Sequence, residues 1–163
     1  MKKIAIVPGT FDPITLGHLD IIERASSLFF KIVVGVATSE RKSPTIDLDS
    51  RVRLAEQATE HLSNVEVKPF SGMLVEFAHE NKAQVIVKGL RAMTDFEYEF
   101  QQGALNHEID PRLENLYIMS NPDYMYVSSS VVRELHSLGA DISKFVPACV
   151  VEYMKSVSSL SSW

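Results

Sequence analysis

The chain has 163 residues, 45% of them hydrophobic, and a formal net charge of −5; a domain of that length buries roughly 70% of the surface its unfolded form exposes. No apolar run approaches the ~18 residues of a membrane span, and the acid excess leaves no broad basic face for nucleic acid. The single cysteine, Cys149, excludes an intrachain disulfide, a thiolate metal cluster and a CxxC redox pair. The expectation is one domain over residues 1–163, at home in a reducing cytoplasm, whose anionic ligands are small and met by a few local cations.

Residues 4–7 form an apolar run that Pro8-Gly9 ends too early for a signal peptide, so they read as a first strand. Behind Thr15, a candidate N-cap, Ile21, Ile22, Ala25, Leu28 and Phe29 recur at helical spacing, which puts His18 in a first helical turn. A second strand over 32–36 leads into a polar loop, 38–45, that carries Arg41 and Lys42. The pattern next predicts a helix over about 47–62 with Val52, Ala55, Ala58 and Leu62 facing inward, a strand at 65–67 and a short helix at 74–80. A fourth strand at 85–87 runs into Lys88-Gly89-Leu90-Arg91. Asp95 is a candidate cap for a helix over 96–109, with Phe96, Phe100 and Ala104 on one side, which Pro111 ends. After a fifth strand at 116–119, Asn121-Pro122-Asp123 marks a turn. Ser128-Ser129-Ser130 opens a helix that Gly139 closes as its C′ residue, and Pro147 suits the first turn of a last helix. Residues 156–163 are serine-rich and read as a fraying tail. Continuous Val/Ile runs alternating with helices make the fold class α/β, with a parallel sheet buried on both faces.

In such sheets ligands gather beyond the carboxyl ends of the strands, so the segments around Thr10, Lys42, Leu74, 88–91 and 124–130 are expected to share one rim. Gly9-Thr10-Phe11-Asp12-Pro13, then Thr15-Leu16-Gly17-His18, bring backbone amides, a hydroxyl and an imidazole to a helix N-terminus, the geometry of a phosphate site. Lys42, Lys88 and Arg91, each an ordinary surface cation alone, would together give an anion a local field that the net charge opposes. The three serines either cap a helix or make a second anion site. Glu97 and Glu99, two apart, lie on different helix faces and make a poor acid/base pair. His61, His79, His107 and His136 lack zinc spacing.

These motifs resemble the nucleotidyltransferases marked by HxGH or TxGH and a C-terminal Ser/Thr-rich segment. Thr15-Leu16-Gly17-His18, RVRLAEQA at 51–58, KGLRAMTDFEYEF at 88–100 and Val127-Ser128-Ser129-Ser130 are similar, in order, to the phosphopantetheine adenylyltransferase family of bacterial coenzyme A synthesis. The resemblance implies a Rossmann-like nucleotidyltransferase fold with a five-stranded parallel sheet flanked by helices, in a cytoplasmic homohexamer. It implies transfer of AMP from ATP to 4′-phosphopantetheine, giving dephospho-coenzyme A and pyrophosphate with Mg2+ and no covalent enzyme intermediate, and coenzyme A as a feedback ligand. It assigns His18, Lys42 and Arg91 to catalysis, and Thr10, Lys42, Leu74 and Lys88 to phosphopantetheine. To ATP it assigns Thr10, Phe11, His18, Gly89, Leu90, Arg91, Glu99, Tyr124, Met125, Tyr126, Val127, Ser128, Ser129 and Ser130; no metal-ligating side chain is implied. Lys88 stands where relatives commonly carry arginine, keeping the charge without the planar fork. Two rivals remain at this point: transfer to another phosphorylated acceptor, such as nicotinamide mononucleotide, or cytidylyl transfer to glycerol phosphate, and a nucleotide-binding module without turnover.

Overall fold

The computed structural model describes residues 2–91 and 93–160. Five strands, β1 (Ile4–Gly9), β2 (Lys31–Ala37), β3 (Val65–Phe70), β4 (Val85–Leu90) and β5 (Glu114–Met119), pair in parallel in the order β3-β2-β1-β4-β5. The helices are α1 (Leu16–Leu28), α2 (Leu48–Thr59), α3 (Leu74–Glu80), α4 (Met93–Ile109), α5 (Ser129–Ser137) and α6 (Ala148–Leu160). No described helix is long and apolar enough to cross a membrane.

Side chains alternate across a strand, and the core divides accordingly. Ala5, Val7, Val34, Val36 and Val87 point to one face, where Ile21, Ile22 and Ala25 of α1, Leu54, Ala55 and Ala58 of α2, and Val150 and Met154 of α6 cover them. Ile6, Val33 and Ile86 point to the other, against Val75, Phe77 and Ala78 of α3. Each valine, leucine or isoleucine side chain taken out of water there contributes about 1.5–3 kcal/mol. The runs are continuously apolar because both faces are covered.

The chain's first crossover goes outward to β2, and β4 then returns to the opposite side of β1. Strand order therefore reverses between β1 and β4, which is where open parallel sheets bind ligands. The pairing itself shows the opening: β1 and β2 stay in register over six pairs from Ile4↔Lys31 to Gly9↔Val36, whereas β1 and β4 pair only at Ala5↔Val85 and Ile6↔Ile86. Beyond Ile6 the two strands splay apart. Their carboxyl ends form the two walls of a cleft.

Several boundaries differ from the sequence reading. The inward stripe of α2 is Arg51, Leu54, Ala55 and Ala58, rotated from the expected one; Val52 and Leu62 pack only at its margin. Helix α4 begins at Met93, so Asp95 stands within its first turn rather than at its cap. Phe96, Phe100 and Ala104 are exposed, because the inward side of α4 is set by the close approach of Gly103 to Tyr117. Pro147 is one residue before α6, its carbonyl accepting from Val150 N–H at 3.0 Å. Helix α6 continues to Leu160 where a tail was expected from 156, and residues 161–163 lie outside the described residues. Thr15, Asp47 and Ser128 cap α1, α2 and α5, and Gly139 follows α5 with φ 77°.

Candidate active site

The end of β1 builds the imidazole site from backbone outward. Phe11 turns left-handed (φ 51°), folding its ring back over Gly9. A Cβ on Gly9 would come within 2.8 Å of that ring, so any other residue there would displace it. The same ring meets His18 edge-on, with centroids 5.1 Å apart. Thr15 and His18 then cap α1 reciprocally: Thr15 Oγ1 accepts from His18 N–H at 3.3 Å, and Thr15 N–H donates to His18 Nδ1 at 3.0 Å. With Nδ1 occupied as an acceptor, the neutral ring carries its proton on Nε2. Among the described residues nothing accepts that proton. Burial, and secondarily the charge of Arg91, lower the His18 pKa from 6.5 to about 4. His18 is thus a neutral hydrogen-bond donor at pH 7.

A cavity of about 540 Å3 fills the cleft between β1 and β4, and His18, Lys42, Lys88, Arg91 and the three serines all line it. Thr10, Phe11, Leu74, Gly89, Glu99 and Val127 complete the expected wall. Lys88 Nζ donates to Glu99 Oε2 at 2.5 Å, so a carboxylate holds the lysine head at the mouth of β4. Arg91 Nη1 donates to Val127 O at 3.3 Å, tying β4's end to the segment before α5. The serines differ in their bonds. Ser128 Oγ caps Val131 N–H, Ser129 Oγ donates to Pro13 O at 2.8 Å, and Ser130 Oγ lies 3.4 Å from Arg133 Nη2. Capping and an amide-rich rim are therefore compatible. Leu90 is buried away from the cavity, with its carbonyl accepting from Ser120 N–H, and Tyr124, Met125 and Tyr126 are not part of the wall; Tyr126 is 81% exposed.

Three charged residues of this region, Asp12, Arg51 and Arg133, were given no role by the sequence reading, although the first two stand in motifs that it quotes. Arg133, one turn into α5, lines the cavity, donates to Asp12 O at 2.5 Å and pairs with Asp12 Oδ2 at 3.3 Å. Asp12 is 5% exposed and Arg51 2%. Burial lowers the Arg51 pKa, and the charges of Asp12 and Asp47 oppose that. One signal for Arg51 was present: 51, 54, 55 and 58 share a helix face, and a charge on an otherwise apolar stripe calls for buried partners.

Magnesium finds no ready ligand set here. Among the described residues no three His, Cys, Asp or Glu side chains group to hold a metal. The two cavity carboxylates are engaged, Asp12 by two amides and Arg133, and Glu99 by Lys88.

The chain matches the cytidylyltransferase-like family model over residues 6–135. It is 51% identical over 156 residues to a phosphopantetheine adenylyltransferase of Thioalkalivibrio sulfidiphilus (strain HL-EbGR7), covering 96% of this chain and 98% of that protein. Against a phosphopantetheine adenylyltransferase of Alkaliphilus metalliredigens (strain QYMF) the identity is 46% over 156 residues, covering 96% and 99%. A solved structure from Vibrio parahaemolyticus described as a nicotinate-nucleotide adenylyltransferase aligns with a TM-score of 0.72 at 25% identity, over 96% of this chain and 93% of that one. The lipopolysaccharide core biosynthesis protein of Thermoplasma volcanium GSS1 shares the fold at a TM-score of 0.55 and 21% identity, over 73% and 98%.

Proposed function

This chain belongs to the phosphopantetheine adenylyltransferase family of cytidylyltransferase-like nucleotidyltransferases, and from that premise we propose how its cavity moves the adenylyl group of ATP to 4′-phosphopantetheine. The reaction gives dephospho-coenzyme A and pyrophosphate. An oxygen of the acceptor phosphate attacks the α-phosphorus in line with the departing pyrophosphate, and no enzyme nucleophile is required. The protein contributes positioning and charge stabilisation.

The observation that carries this reading is the neutral imidazole with Nε2–H on the wall of a cavity that also bears Lys42, Lys88, Arg91 and Arg133. As negative charge builds on the equatorial oxygens of the α-phosphate, His18 donates Nε2–H to one of them. A neutral donor suits that step, because the proton is shared rather than transferred. Lys42 and Lys88 receive the acceptor phosphate, with Glu99 yielding Lys88 to it. Thr10 and Leu74 border the acceptor, while Arg91, Gly89 and the amides of Ser129 and Ser130 align the β- and γ-phosphates. Tyr124, Met125 and Tyr126 reach the nucleotide only beyond the cavity wall, at its outer edge, while Leu90, buried away from the cavity, holds the end of β4 through its carbonyl. Magnesium would come with the triphosphate and would offset part of its charge.

Two further expectations belong to the same reading. The chain assembles as a homohexamer, which the exposed apolar side chains Phe100, Leu105, Ile109 and Met119 on α4 and the edge strand β5 support. Coenzyme A, which contains the product, competes for the cavity as a feedback ligand in the cytoplasm, where ATP is available. Light scattering on the eluted protein distinguishes a hexamer from the 18.3 kDa chain.

The decisive experiment incubates the protein with ATP, magnesium and one acceptor at a time, 4′-phosphopantetheine, nicotinamide mononucleotide or nicotinate mononucleotide, and in parallel with CTP, magnesium and glycerol phosphate, and identifies products by mass spectrometry. Dephospho-coenzyme A with stoichiometric pyrophosphate is expected from the first acceptor only. Turnover with nicotinate mononucleotide instead would transfer the assignment to the activity after which the Vibrio parahaemolyticus structure is described.

A further inference from the structure

Arg51 opens a sequence motif that the chemistry leaves unused, yet it is almost wholly buried on a helix face otherwise made of leucine and alanine. We propose that Arg51 and Asp12 form a brace of opposite charges that presets the Lys42 loop for the acceptor phosphate before substrate arrives. The proposal rests on the reading of Lys42 as a ligand of that phosphate.

The guanidinium contacts backbone carbonyls only. Its Nε donates to Ile46 O at 2.9 Å, Nη1 to Thr10 O at 2.8 Å and Ala37 O at 2.7 Å, and Nη2 to Thr38 O at 3.2 Å. Asp12 approaches the same loop with acceptors: Oδ1 takes Ile46 N–H and Oδ2 takes Thr45 N–H, both at 2.9 Å. Residues 37–38 and 45–46, the two ends of the loop, are thereby fastened to each other and to the turn after β1. Ile46 is gripped on both its backbone groups.

Between these anchors the backbone is held in an unfavourable shape. Ser39 (φ 53°) and Ser43 (φ 45°) are both left-handed and flank the 3-10 turn Glu40–Lys42 that bears the lysine. Residues other than glycine keep such angles where their surroundings over-determine them. Arg51, Asp12 and the 2.8 Å contact of Thr10 Oγ1 with Ser39 Oγ supply that constraint. The two residue types suit a brace, since a guanidinium has five donors in a fixed fork and no acceptor, while a carboxylate has only acceptors. Lysine at 51 would keep the charge but present its donors from one atom, unable to span four carbonyls. Arg51 and Asp12 are therefore positioning residues, acting on the acceptor through Lys42.

The test is a double-mutant cycle of Arg51→Lys and Lys42→Ala, with steady-state kinetics for both substrates and amide hydrogen exchange over residues 38–46. With Lys42 present, Arg51→Lys is expected to lower kcat/KM for phosphopantetheine about 100-fold, the scale of an ångström of misplacement. The KM for ATP stays within about twofold, and the Thr45 and Ile46 amides exchange faster. With Lys42 already removed, the same substitution is expected to cost almost nothing further. An equal fractional loss in both backgrounds would assign Arg51 a general structural role and overturn the proposal. Unchanged exchange in Arg51→Lys would do the same. Should that variant fail to fold, Asp12→Asn takes its place in the cycle. In the wild type, Thr45 and Ile46 amides as labile as open-loop amides would refute the brace without any variant. If Lys42→Ala alone leaves phosphopantetheine kinetics intact, the reading of Lys42 falls separately, and exchange at Thr45 and Ile46 decides the brace.

Discussion

Each end of the parallel sheet holds a hydrogen-bonded histidine, and the two are governed by opposite surroundings. At the carboxyl end His18 accepts a backbone amide, is shielded by Phe11 and faces the charge of Arg91, so its ring stays neutral. At the amino end His79 of α3 donates Nε2–H to Asp110 Oδ2, and Arg112 Nε donates to Asp110 Oδ1 at 3.0 Å, in an open cleft beside Lys82 and Gln84. Arg112, and then His79, hold the Asp110 carboxyl well below the usual carboxylate range. At one end an imidazole keeps an unused proton pointing at a cavity; at the other the proton is already given to a neighbour. The chemistry belongs to the strand end and its charges, not to the residue type.

The largest expected effect breaks the carboxyl-end site outright. His18→Ala should lower turnover by about 3 kcal/mol of transition-state stabilisation, the scale of one oxyanion donor, with both KM values changed far less. Stopped-flow or steady-state pyrophosphate release measures it, and an unchanged kcat would remove His18 from the mechanism. Lys42→Ala comes next: loss of a charge-assisted contact to the acceptor phosphate should cost about 2 kcal/mol in kcat/KM. Unlike His18→Ala, it should raise the phosphopantetheine KM, which titration calorimetry with the acceptor can check.

Gly9→Ala sharpens the comparison without touching a reacting group. The new Cβ would sit 2.8 Å from the Phe11 ring, forcing that ring to move against His18, with an expected loss of about tenfold in kcat. Activity equal to wild type would mean that the ring yields without moving the imidazole. The fourth prediction concerns acid. Since the His18 pKa falls from 6.5 in the unfolded chain to about 4 in the folded one, the unfolded state binds more protons between those values, and stability rises with pH across that window. Urea midpoints should therefore fall as pH drops from 6.5 towards 4, and this part of the loss should vanish in His18→Ala. Asp110 loses its contribution only at lower pH, through and below its ordinary value of 3.8. The smallest effect is His79→Ala, which removes a half-exposed imidazole far from the cavity: kcat and both KM values should stay at wild-type levels. A clear fall in kcat there would couple the two ends of the sheet.

The difference between legible and hidden residues follows the same division. Strands and helices could be read because burial on both faces imposes a local pattern, and the Thr15 cap with His18 at the third helical position could be read because capping spans only three residues. The partners of Arg51 and Asp12 could not, since they lie 5 to 41 positions away for Arg51 and 33 to 121 for Asp12. The α4 stripe of Phe96, Phe100 and Ala104 was legible as one side of a helix, but helical spacing reports that a face is apolar without saying what covers it.

By itself the amino-acid order determined the α/β alternation, the strand-to-helix phosphate turn and the family resemblance, all of which reside in short stretches whose periodicity or chemistry is locally complete. Only the tertiary structure decided that β1 and β4 part company after Ile6, that Glu99 holds Lys88, and that the Lys42 loop is gripped from both sides by buried charges. The physical reason is that hydrogen bonds and ion pairs between distant segments exist only once chain folding has set their distances, and no local pattern records them.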